Sequence, residues 1–325
     1  YIAEQCGYEN AIGFDMGGTK MLSVVLDAKY REQGRAKVRT PVGEGNKATL
    51  QAIADLVLES LTEADVQPDA VAAIGIAVPG PINRAKGRVI QMPNVAMEDY
   101  PLRDKLQELV NIPVVLENDV NAGTYGEFVA GAAEGKQNVI GIFPGTGVGG
   151  GIVMGGQLYR GHTGSAGEFG HMIVDAGGRR CGCGKYGCLE AVSSKTAIAK
   201  ELVHLAAIGS SPTVLDKAGT DISAIKSSVI KKAMEAGESA VIEVVERAAW
   251  YLGVGLGSLI DIFDPDVAVI GGGLVEKLGD RYLKPVRKSM KQHSMINSDA
   301  ELIAAALGDD SVIIGAAALA WQEQE

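Results

Sequence analysis

The feature that most constrains this chain is a short stretch, Gly167–Glu190, in which three cysteines lie close to one histidine. His171 is followed by nine residues, Cys181, one residue, Cys183, four residues and Cys188. One imidazole and three thiolates suit a closed tetrahedral zinc site, which leaves no position open for water or substrate. The loop is rich in Gly and Arg, so metal binding would supply the free energy that folds it. The stretch therefore predicts a structural zinc ion.

Disulfide bonds and free buried thiols are the two alternatives to zinc at this cluster. Three clustered cysteines cannot all pair with one another, and the fourth cysteine, Cys6, is far away in the sequence. The stretch also holds Glu168 and Glu190, close to the predicted ligands. A metal that orders the loop would hold these two carboxylates in place, as the recognition of a small polar ligand requires.

Length and charge limit the classes of function. A chain of 325 residues is long enough for two domains. Its net charge of −10 argues against general binding to nucleic acid or to an anionic membrane. No signal-peptide pattern and no membrane-length apolar stretch occur, and thiolate ligands then predict a cytoplasmic protein. Because the chain begins with Tyr1 and not with Met, the question of whether an upstream segment is missing stays open.

A strand, a glycine turn and a second strand occur twice, over Ile12–Asp27 and Ile140–Gly155. This weak internal duplication predicts two similar α/β halves that face each other. Apolar periodicity further predicts buried strands over Val71–Val78 and Val267–Ile270 and helices over Ala48–Glu63, Thr196–Ala207, Ile222–Glu235, Ala240–Phe263 and about Ile313–Trp321.

The first glycine turn has the composition of a phosphate-binding turn. Asp15 ends the strand, and Gly17, Gly18 and Thr19 follow it. Glycines let backbone N–H groups approach phosphate oxygens closely, and the threonine adds a hydroxyl group. An aspartate at the strand end could hold Mg²⁺ beside those phosphates, directly or through water. The alternative is a plain hairpin turn with a capping aspartate.

The second glycine turn, Gly145–Gly150, matches the dinucleotide pattern G-x-G-x-x-G. That pattern should open a helix, whereas a strand follows here, so we interpret it as a second phosphate turn facing the first. Gly271–Gly273, after a buried strand, would let the flat adenosine of a nucleotide lie against the backbone. The alternative for these three glycines is a tight strand-to-helix turn.

Asn118 and Asp119 follow a short strand, and α/β folds place active-site groups at such strand ends. The carboxylate could accept the proton of a substrate hydroxyl as that hydroxyl attacks a phosphorus atom. The asparagine could hydrogen-bond neighbouring hydroxyl groups. The alternative is that Asn118 only caps the helix that follows.

These features together resemble the ROK family, whose name joins the words repressor, open reading frame and kinase, the kinases being sugar kinases. The most specific part of the resemblance is Cys181–Glu190, CGCGKYGCLE, preceded by Gly167–His171, GEFGH. The resemblance covers about Ile12 to Ala318. It implies an α/β fold with two actin/hexokinase-like (ribonuclease H-like) domains, a cleft between them and a zinc-bound loop. We expect one domain from residues 1–117 plus 308–325 and a larger one from 118–307.

The resemblance also implies roles for single residues. Asp119 would be the catalytic base, and one nitrogen of His171 would bind zinc while the other faces the sugar. The sugar site would be lined by Gly80, Asn94, Asn118, Asp119, Glu168, His171 and Glu190. ATP phosphates would be held by Gly17, Gly18, Thr19, Lys20, Thr146 and Gly147 beside Gly145, with Gly272 and Gly273 on the adenosine side. Two departures from the family pattern are Pro144, where Leu or a similar strand residue is expected, and residues 95–100, where many relatives have Trp.

The implied activity is ATP-dependent phosphorylation of a hexose at its 6-hydroxyl, with glucose as the expected substrate and Mg²⁺ and structural Zn²⁺ as cofactors. The alternatives are a kinase for fructose, mannose or N-acetylmannosamine, polyphosphate as the phosphate donor, and a sugar-responsive repressor. Repressor relatives carry a helix-turn-helix domain before the first strand, where this chain has ten residues. We expect a homodimer or homotetramer that binds neither nucleic acid nor membrane.

Overall fold

A computed structural model gives the structure of the protein and describes residues 9–92, 95, 97–296 and 299–324. The strands of this part are β1 Asn10–Met16, β2 Lys20–Asp27, β3 Glu32–Arg39, β4 Val71–Val78, β5 Ile82–Asn83, β6 Arg88–Gln91, β7 Glu98–Tyr100, β8 Val114–Asn118, β9 Val139–Pro144, β10 Val148–Met154, β11 Gln157–Leu158, β12 Val267–Ile270 and β13 Glu301–Ala304. The α-helices are α1 Gly45–Ala64, α2 Leu102–Val110, α3 Asp119–Ala130, α4 Glu190–Ser193, α5 Lys195–Ala207, α6 Pro212–Ala218, α7 Ser227–Glu235, α8 Ser239–Phe263, α9 Gly273–Leu278, α10 Asp280–His293 and α11 Asp310–Gln322.

The chain forms two compact units. The first unit takes the chain as far as Lys136, then Gly151–Ala166, and then the chain from Ala306 onwards. The second unit comprises Gln137–Gly150 and Gly167–Ala305. The domain boundary predicted near residue 118 stays a prediction. In the compact units, α3 remains with the first sheet because it packs against α11.

The sheet of the first unit has the strand order β3-β2-β1-β4-β8. β2 runs antiparallel to β1 and β3, whereas β1, β4 and β8 are mutually parallel. All eight residues of β4 are buried, as its uncharged apolar sequence predicts for a central parallel strand. The carboxyl ends of parallel strands lie at one edge of a sheet, so β1 delivers Asp15 and β8 delivers Asn118 to the same edge.

Helix α11 lies directly against this sheet and against α3, with glycines at the points of close approach. A Cβ atom at Gly75 in β4 would lie 1.9 Å from the carbonyl oxygen of Ala316. A Cβ atom at Gly126 in α3 would lie 2.0 Å from that of Ser311. Glycine is therefore required at both positions, and the contacts fix the position of α3, whose first residue is Asp119.

The second five-stranded sheet has the order β11-β10-β9-β12-β13. β12 pairs in parallel with β9 and β13, so that Val269 faces Gly141 and Ile303. β10 and β11 form an antiparallel hairpin, with Val153 opposite Leu158. This sheet repeats the order of the first one, and the α/β fold and the duplication predicted from the two glycine turns are confirmed.

Helix boundaries and the small elements differ from the sequence predictions. The helix predicted over Ile222–Glu235 is a 3-10 turn, Ile222–Ala224, followed by α7, because Lys226 between them has an extended backbone (ψ 159°). The short helices α6 and α9, the fourteen-residue α10 and the three-stranded sheet β5-β6-β7 were not predicted. Among the described residues, no helix has the length and apolar character needed to cross a membrane.

Candidate functional site

Two carboxylates define the functional edge of the first sheet. Asp15 is the penultimate residue of β1, and Asp119 begins α3, directly after β8. Burial raises the pKa of Asp119 to about 6, against hydrogen bonds that favour its charged form. Burial and the nearby charge of Asp119 raise the pKa of Asp15 to about 7. The protein thus holds two like charges close together in a poorly solvated place, which is typical of active sites and not of surface carboxylates.

Asn118 is the last residue of β8, and its side chain contacts the start of α3. Its oxygen accepts the N–H groups of Val120 (2.9 Å) and Asn121 (3.2 Å), so it caps the helix as the alternative interpretation expected. Its amide nitrogen also donates to Asp119 Oδ1 at 3.1 Å and lies 3.5 Å from the carbonyl oxygen of Gly80. The side chain of Asn118 therefore both caps α3 and orients the carboxylate of Asp119.

The first glycine turn joins β1 to β2 as a tight hairpin, with Met16 opposite Met21. Thr40, after β3, holds this turn: its N–H donates to the carbonyl oxygen of Thr19 (3.1 Å) and its hydroxyl to that of Gly17 (2.6 Å). Sequence reasoning missed Thr40, because only the pairing of β2 with β3 brings it to the turn. Lys20 donates to Asp309 at 2.8 Å, and this hydrogen bond raises the pKa of the lysine.

The predicted zinc ligands of the second unit come together. One ligand atom from each of His171, Cys181, Cys183 and Cys188 lies within 4.8 Å of all the others. The Cys183 and Cys188 sulfurs are 3.7 Å apart, and the Cys181 sulfur is 3.7 Å from Nδ1 of His171. Tetrahedral zinc with Zn–S bonds of about 2.3 Å requires sulfurs about 3.8 Å apart, so the spacing fits this metal. The three cysteines form no disulfide.

The chemistry of the donor set supports the same conclusion. Without a cation, burial raises the pKa of the Cys181 thiol to about 12, so the thiolate form needs a positive charge beside it. Nδ1 of His171 faces the sulfurs, and its Nε2 lies 3.9 Å from a carboxylate oxygen of Glu168. The residues fit a structural Zn²⁺ with four protein ligands.

Glu190 joins the zinc loop to the second glycine turn. One carboxylate oxygen accepts the N–H of Val148 at 3.1 Å, and the other lies 3.6 Å from the sulfur of Cys181. A Cβ atom at Gly147 would lie 2.3 Å from the first of these oxygens, so a side chain at this position would displace the Glu190 carboxylate. The turn itself is closed by a hydrogen bond of 2.8 Å from the N–H of Gly145 to the oxygen of Gly147.

The structure thus assembles the predicted residues into two groups, one in each unit. The first unit brings together, at one sheet edge, Asp15, Gly17, Gly18, Thr19, Lys20, Gly80, Asn118 and Asp119. The second unit contains Gly145, Thr146, Gly147, Glu168, His171 and Glu190, and Gly272 and Gly273 at the turn from β12 to α9. Gly272 has φ +93°, which favours glycine. Asn94 lies outside the described residues.

The sequence and the fold are both similar to those of known proteins. The model of the ROK family matches residues 11–323. The glucokinase of Streptomyces coelicolor is 37% identical over 315 residues, 95% of this chain and 96% of that protein. The xylose repressor of Bacillus subtilis is 29% identical over 310 residues, 95% of this chain and 73% of the repressor. The structure of a ROK family glucokinase from Streptomyces griseus, in complex with glucose and AMPPNP, is similar with a TM-score of 0.81 and 34% identity, covering 96% of this chain and 99% of that one.

Proposed function

The chain belongs to the ROK family, and from this premise we propose that it is an ATP-dependent hexose kinase whose substrate is glucose. The observation that carries the proposal is the pair of carboxylates, Asp15 and Asp119, at the edge where two parallel strands end. The likeness to the glucokinase of Streptomyces coelicolor over nearly the whole chain supports the same activity.

Asp119 is the proposed general base. Its pKa of about 6 leaves it mostly ionised at neutral pH, yet basic enough to accept a proton from a hydroxyl group in the transition state. The side-chain amide of Asn118 donates a hydrogen bond to Oδ1 of Asp119, and this bond restricts rotation of the carboxylate. General-base catalysis supplies about 10²–10⁴-fold in rate, so positioning and charge neutralisation must supply the rest.

Asp15 is the proposed ligand of Mg²⁺, directly or through water. Burial beside Asp119 makes its charged form unfavourable, and a divalent cation would relieve this. When bound, Mg²⁺ neutralises charge on the phosphates that are transferred. Gly17–Thr19 and Lys20 would contact phosphate oxygens in the first unit, and Gly145–Gly147 in the second.

The zinc loop is the proposed source of sugar recognition. His171, Cys181, Cys183 and Cys188 would hold the zinc ion, and the ordered loop would then place Glu168 and Glu190 so that their carboxylate oxygens accept hydrogen bonds from sugar hydroxyls. The Val148 N–H and the nearby Cys181 sulfur fix Glu190 at the glycine turn. A carboxylate on a short, metal-ordered loop loses little entropy when it binds, which favours selective hydrogen bonding.

A pH profile is expected to report the proposed base. The assay uses saturating Mg²⁺, which keeps Asp15 ionised although burial raises the pKa of that carboxyl to about 7. Because Asp119 must also be ionised and burial raises its pKa to about 6, kcat/KM should then be constant above about pH 7 and fall as pH falls through about 6. An ordinary aspartate with a pKa of about 3.9 would instead leave kcat/KM flat down to pH 5. The measurement is initial ADP release at subsaturating glucose from pH 5 to 8.5, with thermal melts confirming a folded protein at each pH. A flat profile to pH 5 would contradict the assignment.

The sugar preference is tested by a panel of glucose, fructose, mannose and N-acetylmannosamine with Mg²⁺ and either ATP or polyphosphate. We expect glucose with ATP to give the highest kcat/KM. The likeness to a xylose repressor favours a second candidate, a sugar-responsive repressor. That candidate predicts sugar binding by calorimetry with no turnover of any sugar, and DNA binding by the product of the complete reading frame.

A further inference from the structure

Glu117 is a charged side chain buried at the end of β8, directly before Asn118 and Asp119. It is 3% exposed. Glutamate side chains are rarely buried to this extent unless they are paired and hydrogen-bonded. Its carboxylate is paired on both sides, and the two oxygens contact different groups. One oxygen faces the junction of β8 and α3, which carries the proposed base, and the other faces two arginines.

The first oxygen, Oε1, accepts the backbone N–H of Asn118 at 3.0 Å and the side-chain amide of Asn121 at 3.0 Å. Asn118 in turn donates to Asp119 Oδ1 at 3.1 Å and accepts from the N–H of Val120. A continuous series of hydrogen bonds therefore leads from Glu117 through Asn118 to the proposed base.

The second oxygen, Oε2, accepts from Arg160 Nε at 2.6 Å and lies 3.6 Å from Nε of Arg84. Arg84 also forms an ion pair with Glu323 after α11. The two arginine side chains are 25% and 28% exposed, so these charges are largely removed from water. Two cations from separate loops hold the carboxylate in one orientation.

We propose that Glu117 is a positioning residue for phosphoryl transfer, which acts by fixing the backbone of Asn118 and thereby the direction of the Asp119 carboxylate. The inference rests on the proposed function. Glu117 does not reach the sugar itself in this role, so its loss should affect the chemical step more than sugar binding. A misplacement of about 1 Å at a reacting group can lower a rate by about 10²-fold.

The test is Glu117→Gln. Glutamine has one accepting oxygen, so it cannot accept from Asn118 and Arg160 in the present geometry. We expect kcat to fall by about 10–100-fold while the glucose Kd, measured by calorimetry without ATP, stays within about threefold. Arg160→Gln breaks the same pair from the other side and should lower kcat in the same direction by a smaller factor. It serves as the test if Glu117→Gln does not fold.

A double-mutant cycle separates positioning from a general loss of stability. In an Asp119→Asn background, Glu117→Gln should change the residual turnover by less than about twofold, because no base is left to position. The matched control is Glu127→Gln in α3. Glu127 is also fully buried and accepts the N–H groups of Ala132, Ala306 and Leu307, so its loss should lower Tm but leave kcat unchanged.

Three results would overturn the inference while leaving the kinase assignment intact. In the first, native protein phosphorylates a hexose and Glu117→Gln keeps its kcat. In the second, the losses from Glu117→Gln and Asp119→Asn multiply. In the third, Glu127→Gln loses as much kcat as Glu117→Gln. Native protein that phosphorylates no hexose would remove the proposed function and this inference with it.

Discussion

Replacing Asp119 with Asn is expected to lower kcat by about 10²–10⁴-fold, or roughly 3–5 kcal/mol of transition-state stabilisation. The amide has the size of the carboxylate but cannot accept a proton at neutral pH. The surrounding hydrogen-bond donors, Asn118 and the N–H of Val120, still have an oxygen to bond, so the variant should fold. Glucose binding, measured by calorimetry without ATP, should stay within about threefold because ground-state contacts remain.

The control for this variant is Asp55→Asn, which changes an exposed carboxylate on α1 that accepts a hydrogen bond from Gln51 in the same helix. Its kcat and Tm should equal those of the native protein. If Asp119→Asn retained more than about a tenth of the native kcat, Asp119 would not be the base, since loss of a general base costs at least about 10²-fold.

Removal of the zinc ion is expected to have the second large effect. Cys188→Ser, or dialysis against a strong chelator, should lower the zinc content from one ion per chain towards zero. The loop has few apolar residues of its own, and its buried cysteines need a cation, so Tm should fall by about 10 °C or more. Turnover should fall by at least about 10²-fold, because Glu168, His171 and Glu190 lose their positions.

Cys6→Ser makes the same chemical change at a cysteine far from the ligands in sequence, and this variant should keep its zinc, Tm and turnover. Elemental analysis, thermal melts and ADP release measure the three quantities. Zinc-free protein with native Tm and native turnover would contradict both the structural role of the metal and its link to sugar recognition.

The zinc site could be predicted from the sequence because its ligands are local. His171 and Cys188 are the outermost ligands of one short loop, and their residue types and spacing leave few chemical uses. The sheet edge could be predicted for a similar reason. Asp15 and Asn118 each lie at the carboxyl end of an apolar strand, and parallel pairing through β4 brings such strand ends together.

Glu117 and Thr40 could not be found in this way. Arg84, Arg160 and Glu323, which complete the charge cluster around Glu117, lie in three distant parts of the chain, and no local pattern links them. The helix α10 was also missed, since Pro285 lies inside it and a proline within a helical pattern normally predicts an end.

The sequence by itself determined the α/β class, the duplicated glycine turns, the four candidate metal ligands and the polar residues near the ends of the central strands. Each of these depends on short-range periodicity or on ligand chemistry, which a linear sequence carries directly. Only the tertiary structure decided how Asp119 is buried, which nitrogen of His171 faces the sulfurs, and which charges surround Glu117. These depend on burial and on contacts between distant segments, because solvent exclusion and pairing of charges arise only when the sheets and helices pack.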